Sequence, residues 1–172
     1  MGFKNIPYGT PEKINVIVEI PQGSQDKYEY DEELDLIKLD RVLFTAQRYP
    51  CNYCFIPNTR AEDGDHADVL LFSTNPFFSG ALVESRPIGF MTMMDSGEVD
   101  DKILAVPVAD VRFKNIESFD QLPEHSRKEI SNFFETYKLL QEKEVKVTGF
   151  HPKEKAVEYL KKTLEVYANE QK

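Results

Sequence analysis

Asp63-Gly64-Asp65-His66-Ala67-Asp68-Val69-Leu70-Leu71-Phe72 sets three carboxylates at i, i+2 and i+5 and then runs directly into apolar residues. Val69 to Phe72 reads as the start of a buried strand, so the aspartates crowd a turn at its mouth. Like charges held that close repel, and burial makes it worse. A hard cation taking carboxylate oxygens is the usual compensation, although in isolation the stretch reads equally as a solvated acidic turn.

The same turn-then-strand pattern continues outward. Ile14, Val16, Val18 and Ile20 fall on one face of a strand whose other face carries Glu19. Lys27 to Tyr30 alternates with Lys27 and Glu29 together, and Leu36 to Arg41 puts Ile37, Leu39 and Arg41 on one side. A hairpin from Lys27 to Arg41 would gather Lys27, Glu29 and Arg41. Gln47 to Thr59 has no clean period and holds Pro50 and Pro57, so it reads as a structured loop or irregular strand presenting Tyr49 and Tyr53. Further strands are expected near Asp68–Phe72, Leu82–Met93 and Lys102–Val106, with a second acidic turn from Asp95 to Lys102.

The period then changes to that of a helix over about 123–142, with Ile130, Phe133, Phe134, Tyr137 and Leu140 as its buried stripe. A short strand follows at Val145 to Phe150. Pro152 opens a second helix, about 152–168, buried through Val157, Leu160, Leu164 and Tyr167. Many short strands with little helix between them imply an α+β, mainly β domain: a small barrel or strongly bent sheet with two flanking helices.

At 172 residues one domain over 1–172 is expected. No apolar run reaches membrane-span length and Met1 to Thr10 lacks a signal-type apolar segment, so a cytoplasmic compartment and no membrane partner are expected. A net charge of −9 without a Lys/Arg stripe argues against nucleic acid. Cys51 and Cys54 exclude a disulfide scaffold, and with only His66, His125 and His151 as further soft ligands they read as small buried thiols rather than a zinc site. A calcium loop starting at Asp63 needs Gly at its sixth position and Glu at its twelfth, where Asp68 and Thr74 stand. No nucleophilic triad, phosphate-binding glycine loop or dinucleotide fingerprint is visible.

Glu19-Ile20-Pro21, Lys27-Tyr28-Glu29, Asp40-Arg41, Tyr49-Pro50-Cys51-Asn52-Tyr53 and Ile56-Pro57-Asn58-Thr59 resemble segments of the family I soluble inorganic pyrophosphatases of the compact prokaryotic type. Asp63-Gly64-Asp65 with Asp68, Ala105-Val106-Pro107, Phe133-Phe134-Glu135 and Tyr137-Lys138 extend the likeness from about Ile14 to Phe150. The resemblance implies a five-stranded OB-like barrel, commonly a homohexamer, that hydrolyses pyrophosphate to two phosphates with a metal-activated water. It implies that Asp63, Asp68, Asp95 and Asp100 ligate Mg²⁺, supported by Glu29 and Glu19, and that Asp65 is the catalytic base. Lys27, Arg41, Tyr53, Tyr137 and Lys138 would bind substrate oxygens, with Lys102 and Tyr49 nearby.

The residues make independent sense of that assignment. Seven such carboxylates against Lys27, Arg41, Lys102 and Lys138 leave a site that repels a phosphoanion until divalent ions reverse its sign. Other readings stay open residue by residue. Tyr137 lies on the apolar helix stripe and reads as core when taken alone, Glu19 could be a strand's outer face, and Asp101 or Glu98 could stand in for Asp100. Relatives usually carry proline, then an apolar residue, where this chain has His66 and Ala67; Cys54 and Asp35 stand where glycine is common, and Glu144 near a common tryptophan. His66 could admit Mn²⁺, Co²⁺ or Zn²⁺. The alternatives in function are a weak or silent metal- or phosphoanion-binding barrel, and a hydrolase preferring larger polyphosphates.

Overall fold

The structure, a computed structural model, describes residues 2–171; Met1 and Lys172, the ends of the domain expected over 1–172, lie outside the described residues. Among these the strands are β1 (Gly9–Thr10), β2 (Lys13–Ile20), β3 (Asp26–Asp31), β4 (Leu36–Val42), β5 (Asn52–Ile56), β6 (Ala67–Leu71), β7 (Leu82–Asp95), β8 (Glu98–Val99), β9 (Lys102–Pro107) and β10 (Val145–His151). The two α-helices are α1 (Glu124–Thr136) and α2 (Lys153–Glu170). Strands β2, β5, β6, β9 and β7 pair in that order, and β7 returns to β2, which closes a five-stranded barrel. The mainly β barrel with extra strands and two helices is the architecture the sequence implies.

Both faces of the barrel strands are covered. Ile20, Leu70, Met91 and Leu104 pack with Ile130, Phe133 and Phe134 of α1. Val16, Val69, Ile103 and Ala105 pack with Ala156 and Leu160 of α2. A strand buried on both sides must be apolar almost throughout, which is why β6 and β9 read as continuous runs. The charged exceptions, Asp68 and Lys102, are register partners across the parallel β6–β9 pair. Double-sided burial also explains why Gln47 to Thr59 has no period: it contains β5, buried at every residue but Tyr53. Cys51 and Cys54 are buried free thiols there, and burial pushes the Cys51 thiol up to about 12.

Several sequence expectations are corrected. The first helix ends at Thr136 rather than near 142; a tighter 3₁₀ turn at Leu139–Gln141 follows, and Glu142 takes a left-handed φ of 57°. That change of pitch takes Leu140 off the stripe, leaving it 68% exposed. In α2, Ala156, Leu160 and Thr163 face inward and Val157 is only partly buried, because small residues let the helix approach the sheet. In the β3–β4 hairpin Lys27 faces Arg41 but Tyr28 faces Leu39, so Asp40 occupies a bulge that turns Leu39 outward.

Two turns set the site's rim. Ser96 and Gly97 have φ of 54° and 92° between the paired residues Asp95 and Glu98, the doubly left-handed geometry of a tight two-residue hairpin. Asp35 closes the β3–β4 turn at φ 53°, a conformation costly for a residue with a Cβ. Its carboxylate offsets that by accepting 2.9 Å hydrogen bonds from the Phe3 N–H and the Tyr30 hydroxyl.

Candidate active site

One open cavity of about 520 Å³ lies against the barrel wall. Its lining collects Glu19 from β2, Lys27 and Glu29 from β3, Tyr53 from β5, Asp63 and Asp65 from the acidic turn, and Asp68 from β6. Asp95 from β7, Asp100 from the β8–β9 connection, and Tyr137 and Lys138 beyond α1 complete the wall. Of the residues singled out in the sequence, Arg41, Lys102 and Tyr49 do not line it. Arg41 pairs with Asp40, which also lies 3.4 Å from Lys27. Tyr49 is 3% exposed, its ring 5.9 Å from that of Tyr53 and 4.8 Å from that of Phe133.

Lys102 is buried directly behind the carboxylates. Its Nζ donates to Asp68 at 2.8 Å and to Asp100 at 2.5 Å, with the side chain 1% exposed. Burial alone would lower its pKa, but the charges of Asp100 and Asp68 outweigh that and hold it well above the ordinary lysine value. Asp68 also accepts from the Tyr53 hydroxyl. Desolvation pushes the Asp68 carboxyl up to about 6, with Lys102 pulling down and Asp100 pushing up. Glu19 is pushed to about 8 by burial and then by the Asp68 charge, although it accepts from the Tyr30 N–H at 2.7 Å.

The remaining acids are held similarly. Asp95 is paired with Lys138, which outweighs its burial and keeps its pKa below the usual range. Glu29 is paired with Lys27. Asp101 turns away and accepts from the Met93 N–H at 3.1 Å, which leaves Asp100 facing the cavity. Asp65 differs: among the described residues its carboxyl pairs with no cation, and burial followed by the Asp63 charge raises its pKa. Its N–H donates to Asp63 at 3.0 Å, closing a local turn around Gly64, whose φ of 91° a Cβ would strain.

Among the described residues no three acidic, histidine or cysteine side chains are drawn together tightly enough to hold an ion. Lys102 lies between Asp68 and Asp100, Lys27 contacts Glu29 and Asp40, and Lys138 pairs with Asp95. The donor chemistry fits a hard cation nonetheless, since the ligand candidates are all carboxylate oxygens. His66 adds nothing softer. Its Nδ1 lies 2.8 Å from the Thr59 carbonyl and its Nε2 2.8 Å from Glu32, so neither ring nitrogen offers a free lone pair to Mn²⁺, Co²⁺ or Zn²⁺. Burial pushes its pKa down, and the Thr59 carbonyl and the Glu32 charge offset that only in part.

Glu32, Arg60 and Lys143 also line the cavity and were not singled out in the sequence. Arg60 directly precedes the acidic turn, the one local signal available. Glu32 sits in a hairpin turn and Lys143 follows the left-handed Glu142, so only the tertiary fold brings them in.

A family model described as inorganic pyrophosphatase matches residues 16–168. An inorganic pyrophosphatase of Geobacillus stearothermophilus is 45% identical over 172 residues, covering 100% of both chains. One from Saccharolobus solfataricus is 48% identical, over 90% of this chain and 92% of its own. The crystal structure of the inorganic pyrophosphatase from Thermus thermophilus superposes with a TM-score of 0.93 at 43% identity, covering 98% of this chain and 99% of that one. With its barrel and its acidic, lysine-studded cavity, the chain belongs to the inorganic pyrophosphatase family.

Proposed function

We propose that this cavity hydrolyses pyrophosphate to two phosphates in a Mg²⁺-dependent reaction. The observation that carries the reading is the convergence of acids and cations from distant segments on one cavity. Asp63, Asp68, Asp95 and Asp100 are the carboxylates that would hold the ions, with Glu29 and Glu19 in support. When bound, divalent ions supply the positive charge that an anionic substrate needs and make the attacking water more acidic. Asp65, unpaired and with a raised pKa, is suited to take a proton from that water. Lys27 and Lys138 stabilise charge on the phosphoryl oxygens, while Tyr53 and Tyr137 donate neutral hydrogen bonds; Arg41, outside the lining and paired with Asp40, would join them only by turning inward. Burial pushes the Tyr53 hydroxyl well above its ordinary pKa, so it stays a donor at neutral pH. Lys102 and Tyr49 act from behind the wall, Lys102 by holding Asp68 and Asp100 in place before metal arrives.

The test is phosphate release in Mg²⁺ from pyrophosphate, tripolyphosphate and ATP. Pyrophosphate is expected to be cleaved fastest; turnover no higher than background would leave a silent phosphoanion-binding barrel. Asp65→Asn is expected to lower kcat by about 10²-fold or more while Mg²⁺ still binds. Near-normal turnover would remove Asp65 from the base role. We also infer a cytoplasmic homohexamer; the exposed Leu36, Leu39, Val42 and Phe44 on and after β4 supply apolar surface for subunit contacts. Light scattering of the purified protein measures that mass directly.

A further inference from the structure

We propose that Glu32, Arg60 and His66 form a positioning cluster that fixes the Asp63–Asp68 turn against the β3–β4 hairpin and the end of α2. Two side chains meet on one carboxylate. Glu32 receives Arg60 Nη2 at 3.2 and 3.3 Å on its two oxygens and His66 Nε2 at 2.8 Å. Arg60 spends its other donors on either side of the turn: Nη1 on the Gly64 carbonyl at 2.6 Å and Nε on Glu170 at 2.8 Å. Its backbone N–H reaches the Thr163 carbonyl of α2 at 2.9 Å.

His66 closes the other side. Beyond its two hydrogen bonds, its ring stacks on Phe55 at 5.2 Å and Tyr30 at 5.6 Å and meets Tyr167 of α2 at 6.2 Å. The guanidinium of Arg60 lies over the same Tyr167 ring. The side chains of Arg60 and His66 are 16% and 10% exposed, while Glu32 and Glu170 are 41% and 44% exposed, so solvent reaches these contacts from the carboxylate side. A turn bearing three carboxylates would otherwise splay under its own repulsion, and Gly64 gives it the freedom to do so. The cluster grips the one peptide, at Gly64, that lies between Asp63 and Asp65. None of its members needs to touch substrate, so these are positioning residues.

The decisive experiment has two arms. In the metal-free protein, amide hydrogen exchange is read at Ala61 and Gly64, whose N–H groups close the turn onto Asp65 and Ala61 carbonyls, and at Val69 and Leu70 in the barrel. Glu32→Gln and His66→Ala are each expected to speed the turn amides about 10-fold and leave the barrel amides unchanged. In the active enzyme, the same variants are expected to raise the Mg²⁺ concentration for half-maximal rate about 10-fold, with kcat at saturating Mg²⁺ within about threefold of the parent. The double variant is expected to match the worse single one, because both remove the same restraint. Glu170→Gln, an exposed change at the helix end, tests the clamp without risk to folding and is expected to shift the Mg²⁺ requirement about twofold in the same direction. Unchanged turn exchange, or effects of the two substitutions that multiply, would overturn the proposal. The activity arm rests on the pyrophosphatase reading, whereas the exchange arm does not, so failure of one is distinguishable from failure of the other.

Discussion

At the scale of single residues, the site is governed by how burial and charge are matched. Lys102 is enclosed by two carboxylates and the rings of Tyr53 and Phe134, at 5.1 and 5.8 Å from its Nζ. Lys102→Met would leave Asp68 and Asp100 buried together without a cation. The metal-free protein is expected to lose about 3–5 kcal/mol in urea unfolding with EDTA, and Mg²⁺ to restore part of it. A loss below about 1 kcal/mol would show that the carboxylates relax to solvent instead. Glu19 yields a pH prediction of definite sign. Its folded pKa is raised from 4.5 to about 8, so the folded state holds the proton more tightly than the unfolded chain. That contribution to stability is fully present below pH 4.5 and is lost as pH rises through about 8. The metal-free melting temperature is therefore expected to fall across that window, and Glu19→Gln to flatten the fall; parallel curves for the two proteins would contradict it. The sequence left Glu19 between a strand's outer face and a supporting acid. Its burial comes from the β3–β4 hairpin folding over β2 and donating the Tyr30 N–H, a contact of eleven residues' separation that no local pattern encodes.

At the scale of elements, the strands and helices were legible where burial is one-sided or complete, and their ends were not. β2, β6, β9 and the start of α1 follow directly from apolar spacing. The end of α1 does not, because Tyr137, Leu139 and Leu140 continue the apolar content while the backbone tightens into a 3₁₀ turn. Ending the helix at Thr136 places Tyr137 and Lys138 on the cavity wall while Tyr137 keeps its N–H on the Phe133 carbonyl at 2.8 Å. Tyr137 is thereby 5% exposed in the core and also lines the cavity. Substitution separates the two geometries. Phe134→Ala is expected to cost about 3–5 kcal/mol by opening a cavity beneath α1. Leu140→Ala is expected to stay within about 0.5 kcal/mol, since its side chain already faces water. A cost of about 2 kcal/mol or more at Leu140 would mean the helix continues through it.

At the scale of the whole molecule, the net charge of −9 is concentrated where an anionic substrate must enter. Nine carboxylates line the cavity (Glu19, Glu29, Glu32, Asp63, Asp65, Asp68, Asp95, Glu98, Asp100) against four cations (Lys27, Arg60, Lys138, Lys143), a formal excess of five negative charges. Most of those cations are already committed: Lys27 to Glu29, Lys138 to Asp95, Arg60 to Glu32 and Glu170. The sequence showed the sign of this imbalance but undercounted it, because Glu32 carries no local mark of belonging to the cavity and Glu98 entered only as a stand-in for Asp100. On the proposed function, substrate binding would be conditional: pyrophosphate would recruit Lys27 and Lys138 only once something else neutralises the acids they hold. On that reading, divalent ions would do both at once, taking the carboxylates and freeing the ammonium groups. The Asp65→Asn variant, slow in turnover, allows this to be measured by calorimetry. Pyrophosphate is expected to bind at least about 100-fold more weakly in EDTA than in Mg²⁺, a coupling of about 2.7 kcal/mol. Reciprocity requires pyrophosphate to tighten Mg²⁺ binding by the same factor. Equal affinity in the two conditions would mean that the lysines face the substrate unaided, and the electrostatic account of the site would fail with it.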